Sequence, residues 1–74
     1  MSKLPSVTGE NVVRALTKAG FVVVRQRGSH VYLRDQEGRA TVVPVHKGES
    51  VGIGLLRKIM RDAELDREEF LKLL

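Results

Sequence analysis

The sequence contains no cysteine, no tryptophan and only two histidines among its 74 residues. The absence of cysteine excludes disulfides, zinc ribbons, iron–sulfur clusters and thiol nucleophiles. Two histidines are too few for a three-histidine metal site, and the carboxylates are scattered without the spacing of a metal-ligand set. We therefore expect neither a metal nor another cofactor.

Long hydrophobic runs are also missing. No stretch approaches the roughly 18 apolar residues that a membrane-spanning helix needs, and the N-terminal segment MSKLPSV lacks the charged and then apolar order of an export signal. We expect a cytoplasmic protein that does not associate with membranes. The chain is too short for a Rossmann or TIM scaffold, so we predict a single small domain over residues 1–74.

Positive charge dominates most of the chain. Residues 1–61 carry eleven basic and four acidic side chains, a net charge of +7, whereas residues 62–74 carry two basic and five acidic side chains, a net charge of −3. A basic domain suits a polyanionic partner such as nucleic acid. Composition alone does not separate this interpretation from an ordinary soluble surface rich in lysine and arginine.

Hydrophobic spacing and turn residues predict the order of the secondary-structure elements. Thr8 is a candidate N-cap, and Pro44 should lie at a sheet edge or strand exit because it has no N–H donor. In the second helix we expect Leu55, Leu56, Ile59 and Met60 in the core. The predicted elements are a helix at about 8–19, strands at 21–24, 29–34 and 40–45, a helix from Leu55, and a short C-terminal helix capped by Asp66 and Glu69.

This order predicts an α+β fold, α-β-β-β-α with a short C-terminal helix. Two helices on one face of a three-stranded antiparallel sheet would leave its other face open to a ligand. In the second strand, Val31 and Leu33 should face the core, so His30, Tyr32 and Arg34 should share the open face. A titratable imidazole, a stacking ring and a guanidinium on one face are compatible with a nucleic-acid surface.

His30 is the first candidate for acid–base chemistry. An imidazole can accept a proton from a ribose 2′-hydroxyl or donate one to a leaving 5′-oxygen at neutral pH. His46, at the exit of the third strand, is a second candidate, although positioning a turn is an equally good role for it. From the isolated residues, an ordinary surface histidine is the simpler interpretation of His30.

Motifs spread along the chain resemble the HicA (YcfA-like) family of bacterial toxins. They are Leu4-Pro5, Gly20-Phe21, Arg25-Gln26-Arg27-Gly28-Ser29-His30, Val43-Pro44-Val45-His46 and Gly54-x-Leu56-Arg57-Lys58-Ile59. The Gly-Ser-His element followed at this distance by Val-Pro-x-His is specific in combination, and the resemblance covers about residues 4–74.

The resemblance implies a double-stranded-RNA-binding-like fold and the activity of an mRNA interferase. It places the family's catalytic histidine on His30, which reverses the simpler interpretation above, and it makes Gly28-Ser29 the turn that presents the imidazole. His46 matches a motif position without a firm catalytic role, so it is a supporting candidate. The resemblance also implies a cognate HicB-like antitoxin that covers the active site.

These lines of reasoning lead to one functional hypothesis with two alternatives. We expect an endoribonuclease toxin of a type II toxin–antitoxin system, with mRNA as substrate and His30 as acid or base. The alternatives are a non-catalytic RNA-binding module and a scaffold that binds only an acidic protein. The residues expected to contact RNA are Arg25, Arg27, Gly28, Ser29, Tyr32, Arg34 and Lys47.

Overall fold

A computed structural model describes residues 4–74 of the chain. Residues 1–3, which include Lys3 of the basic part, lie outside the described residues. The elements are α1 (Gly9–Lys18), β1 (Val22–Arg27), β2 (His30–Arg34), β3 (Ala40–Pro44), α2 (Ile53–Asp62) and α3 (Arg67–Leu73). The predicted α+β order, α-β-β-β-α with a short C-terminal helix, is confirmed.

Helix α1 begins where the sequence predicts. The Thr8 side chain accepts a hydrogen bond from the Asn11 N–H at 3.2 Å, which satisfies one of the free donors at the helix N-terminus. Val12, Ala15 and Leu16 recur at helical spacing and are buried against the sheet.

The three strands form an antiparallel sheet in the order β1-β2-β3, with β2 in the centre. Val31 and Leu33 of β2 are buried in the core, whereas His30 and Arg34 are exposed and Tyr32 is half-buried. The predicted division of β2 between a core face and an open face is therefore confirmed. We call the sheet face that carries His30, Tyr32 and Arg34 the open face.

The first strand lies differently from its prediction. Phe21 precedes the strand and is buried in the core, and β1 continues to Arg27 because that residue pairs directly with His30 across the hairpin. All six residues of β1 are exposed, because β1 is an edge strand and the helices cover mainly the part of the sheet nearer β3. Pro44 ends the opposite edge strand, as expected.

Helix α2 buries Leu56, Ile59 and Met60, but the prediction for Leu55 is wrong, because its side chain is 37% exposed. Successive helical residues are rotated by about 100°, so Leu55 lies roughly a quarter turn from the middle of the buried stripe. Helix α3 has the predicted capping box and buries Phe70. In residues 4–74 the helices have seven to ten residues, and none is long and apolar enough to cross a bilayer.

The turn between β2 and β3 is organised by Asp35. Its buried carboxylate accepts hydrogen bonds from the backbone N–H groups of Glu37 (3.0 Å) and Arg39 (2.8 Å) and from Arg39 Nε (2.5 Å). Burial raises the pKa of Asp35, but the hydrogen bonds and charge of Arg39 outweigh burial, so the pKa lies below its ordinary value of 3.8. The Arg39 side chain is therefore bound to Asp35 within the turn.

The first residue of α1 packs closely on the end of β3, so we predict that Gly9→Ala destabilises the fold. A Cβ atom at Gly9 would overlap the Pro44 carbonyl oxygen and lie 3.0 Å from Val45 Cα. Such overpacking costs about 1–3 kcal/mol. Gly54→Ala is the control, because its Cβ would meet nothing within 4 Å and alanine favours a helix. Urea unfolding should show a loss for Gly9→Ala and none for Gly54→Ala; equal midpoints would contradict the close contact.

The lowered pKa of Asp35 predicts a pH-dependent contribution to stability. The ionised carboxylate favours the folded state above the ordinary carboxyl pKa of 3.8, and this stabilisation is lost as pH falls through the lower folded-state pKa. Asp35→Asn should therefore be less stable than the unmodified protein at neutral pH, and the difference should shrink below pH 3.8. Thermal unfolding of both proteins across this pH range measures the difference in stability. A difference that is constant with pH would contradict the assignment.

Candidate active site on the open face of the sheet

His30 is the first residue of β2 and directly follows the two-residue turn Gly28-Ser29. Gly28 has a φ of 56°, a conformation that glycine adopts without steric cost and that two-residue hairpin turns require. The hairpin therefore fixes the position of His30 at one end of the open face. The imidazole is exposed and has no hydrogen-bond partner within residues 4–74, so both nitrogens are accessible to a substrate.

The register of the sheet places two arginines beside His30 and Tyr32. Arg27 pairs with His30 and Arg25 pairs with Tyr32, and directly paired residues in an antiparallel sheet have neighbouring side chains on the same face. The Arg25 guanidinium lies over the Tyr32 ring, 4.8 Å from its centroid, at a distance typical of a cation–π interaction.

This arrangement depends on a β-bulge between Val23 and Arg25. With strict alternation from Val22, which pairs with Arg34, the side chains of Arg25 and Arg27 would point to the other face. The extra residue in β1 shifts the alternation, so both arginines share the open face with His30. The sequence analysis did not identify this bulge, because its signal is only one additional residue in a run of three valines.

The predicted loop residues lie at the same end of the sheet as the hairpin. The Val45 N–H donates a 2.7 Å hydrogen bond to the Ser29 carbonyl, so the chain after β3 leaves the sheet beside the Gly28-Ser29 turn. His46 and Lys47 follow directly and are exposed. The His46 carbonyl accepts from the Glu49 N–H at 2.9 Å in a turn, which fits the expected turn-positioning role; neither residue lies on the strand face itself.

Charge on the open face is not neutralised locally. Within residues 4–74, Arg25, Arg27 and Arg34 have no acidic partner within salt-bridge distance, whereas Arg39 is paired with Asp35 and Glu37 at the far end of β2. The open face therefore presents an imidazole, a tyrosine ring and three guanidinium groups, and none of these three forms a salt bridge within the described residues. Such a surface can bind phosphates electrostatically and stack a base.

The sequence analysis missed a cluster on α2 and β3 that borders this face. Lys58 Nζ donates a hydrogen bond to Asp62 Oδ2 at 2.9 Å, and the same oxygen accepts from Thr41 Oγ1 at 2.9 Å. The hydrogen bond from Lys58 lowers the pKa of Asp62, burial opposes this effect, and the bond from Thr41 adds to it. The i,i+4 spacing of Lys58 and Asp62 indicates an ion pair, but the packing against Thr41 has no local sequence signal.

In the part of the chain that the structure describes, no three or more His, Cys, Asp or Glu side chains lie together in a position to hold a metal ion. The residues that meet on the open face suit acid–base and phosphate-binding chemistry: the His30 imidazole lies opposite Arg27 of β1, and its partner on β3 is Pro44.

The family model described as the HicA toxin of bacterial toxin–antitoxin matches residues 9–65. The matched segment runs from the start of α1 to just beyond α2 and contains the whole sheet, His30 and the paired arginines. None of the curated proteins searched matches the chain.

Proposed function

Because this chain belongs to the HicA family of toxins from bacterial toxin–antitoxin systems, we propose that it is an mRNA interferase that cleaves RNA with His30 as its catalytic acid or base. The observation that carries the proposal is the position of His30: an exposed imidazole on a fixed hairpin, with Arg27 directly opposite in the sheet register. The toxin family supports the same residue, since its Gly-Ser-His motif corresponds to Gly28-Ser29-His30.

RNA supplies its own nucleophile in this reaction. The 2′-oxygen forms a bond to the adjacent phosphorus while the bond from phosphorus to the 5′-oxygen breaks. The proton of the 2′-hydroxyl goes to a base, and the 5′-oxygen receives a proton from an acid. His30 performs one of these transfers and water completes the other, which leaves a 2′,3′-cyclic phosphate and a 5′-hydroxyl.

The arginines have a separate role in this mechanism. Negative charge builds on the non-bridging oxygens as the new bond forms, and a guanidinium held beside them stabilises that charge. Arg27 is best placed for this role because it pairs with His30, whereas Arg25 and Arg34 lie farther along the strands and would hold neighbouring phosphates. Tyr32 would stack a base, and Lys47 and the Gly28-Ser29 turn would bind the backbone at the other end.

The proposal predicts that His30→Ala abolishes toxicity and lowers the rate of RNA cleavage by about 10²- to 10⁴-fold, the usual contribution of general acid–base catalysis. Cleavage of a defined RNA by the purified protein measures the rate, and end analysis should find cyclic or 3′-phosphates with 5′-hydroxyls, formed equally well with a metal chelator. His46→Ala is the matched control and should lose much less activity.

Four outcomes would contradict this mechanism. Products with 5′-phosphates that form only with Mg²⁺ would indicate metal-assisted hydrolysis. Cleavage by His30→Ala at the unmodified rate would place catalysis on another group. RNA binding without cleavage by either protein would favour the non-catalytic RNA-binding module, and the absence of both binding and cleavage would favour a protein-binding scaffold.

We also propose that a HicB-like antitoxin inhibits this toxin by covering the open face, as the toxin–antitoxin family implies. Val22 and Val24 of β1 are 59% and 55% exposed beside Arg25, and a protein partner can bury such apolar surface while acidic side chains pair with the arginines.

A competition experiment tests this arrangement. The antitoxin should displace labelled RNA from the His30→Ala protein, and Val24→Asp should weaken antitoxin binding by more than tenfold because it places a charge in a desolvated contact. Lys72→Asp on exposed α3 is the control and should leave binding nearly unchanged. Simultaneous binding of RNA and antitoxin to one toxin molecule would exclude occlusion of the open face.

A further inference from the structure

A cavity of about 350 Å³ borders the open face two residues along β2 from His30. It brings together residues of all three strands and of α2. Its walls include Tyr32, Arg34, Ala40, Val42, Lys58 and Asp62. Because β3 is an edge strand, this cavity joins the open face to side chains that α2 places beside that edge.

The ammonium group of Lys58 is held in this cavity and is still accessible. Asp62 binds Lys58 and is itself bonded to Thr41, which is buried on the core side of β3. Asp62 Oδ2 thus links the lysine to Thr41 of the sheet, and 63% of the lysine side chain is exposed to solvent. Because Asp62 already binds the Lys58 ammonium group, ligand binding there costs less side-chain conformational entropy.

The charge and lining of the cavity favour a phosphodiester. Two cationic side chains, Lys58 and Arg34, face one carboxylate, Asp62, so the cavity carries an excess of positive charge. Its other walls are the apolar side chains of Ala40 and Val42 and the ring of Tyr32, which suit a sugar or a base. A small inorganic anion would leave these apolar walls without contacts.

The position of the cavity relative to His30 fits a continuous strand of RNA. At about 3.3 Å per residue along a β-strand, Tyr32 lies roughly 7 Å and Arg34 roughly 13 Å from His30. We propose that the cavity is a second phosphate site, in which Lys58 binds a phosphodiester flanking the one that is cleaved beside His30. The inference rests on the proposed ribonuclease function for the identity of its ligand, but it assigns a separate group of residues on α2.

The test measures binding without cleavage. A short, fluorescently labelled single-stranded RNA is titrated with His30→Ala protein and with the same protein carrying Lys58→Gln. Loss of one phosphate contact should weaken binding by about 3- to 10-fold and reduce the slope of log K against log salt concentration by about 0.7. Lys72→Gln is the matched control: it removes the same charge from an exposed lysine on α3, away from the cavity.

The outcomes separate this site from the proposed function. Equal weakening by Lys58→Gln and Lys72→Gln would show that only net charge matters and would overturn the site, even if the unmodified protein cleaves RNA. A loss of RNA affinity with Lys58→Gln but not with Lys72→Gln would support the site even if no cleavage is found, because the experiment measures RNA binding and does not depend on catalysis. A loss of antitoxin binding with unchanged RNA binding would assign Lys58 to the protein partner and overturn the phosphate site.

Discussion

The β-bulge in β1 is the feature on which the composition of the open face depends. A strict alternation would divide the basic residues of the hairpin between the two faces, and one extra residue gathers them on the side of His30. The bulge acts without any contact to a ligand, since it changes only which way successive side chains point. The bulge makes β1 an irregular edge strand. All six residues of β1 are exposed, so no helix covers the irregular strand.

The two faces of β2 follow from a much simpler rule. Val31 and Leu33 are apolar and enter the core, and period-two alternation then places His30, Tyr32 and Arg34 on the opposite face. Because β2 is the central strand, each of its residues pairs with residues of β1 and β3. These pairings fix which residues of β2 face the core. Open-face and core positions thus alternate along the five residues of β2, so a slip of one residue would exchange them.

The contrast between the irregular β1 and the regular alternation of β2 explains which features the sequence could predict. Capping residues, helical spacing and alternation are local signals, and they identified α1, α3 and the faces of β2. Arg25 and Arg27 were named as candidates, but their placement beside Tyr32 and His30 depends on the bulge. The contact between Asp62 and Thr41 depends on how α2 packs on β3, which no short segment encodes. Leu55 was misplaced for a related reason: an apolar residue at the margin of a helical stripe is buried only if its neighbours extend far enough.

A surface with unpaired arginines and exposed valines has consequences for control of the protein. The guanidinium groups that would hold RNA phosphates are equally suited to the carboxylates of a protein, and the adjacent exposed valines offer apolar surface to such a partner. A partner that engages both kinds of group gains apolar burial in addition to charge pairing. Inhibition by such a partner would need no conformational change in the toxin, because occupation of the open face is sufficient to exclude RNA from His30.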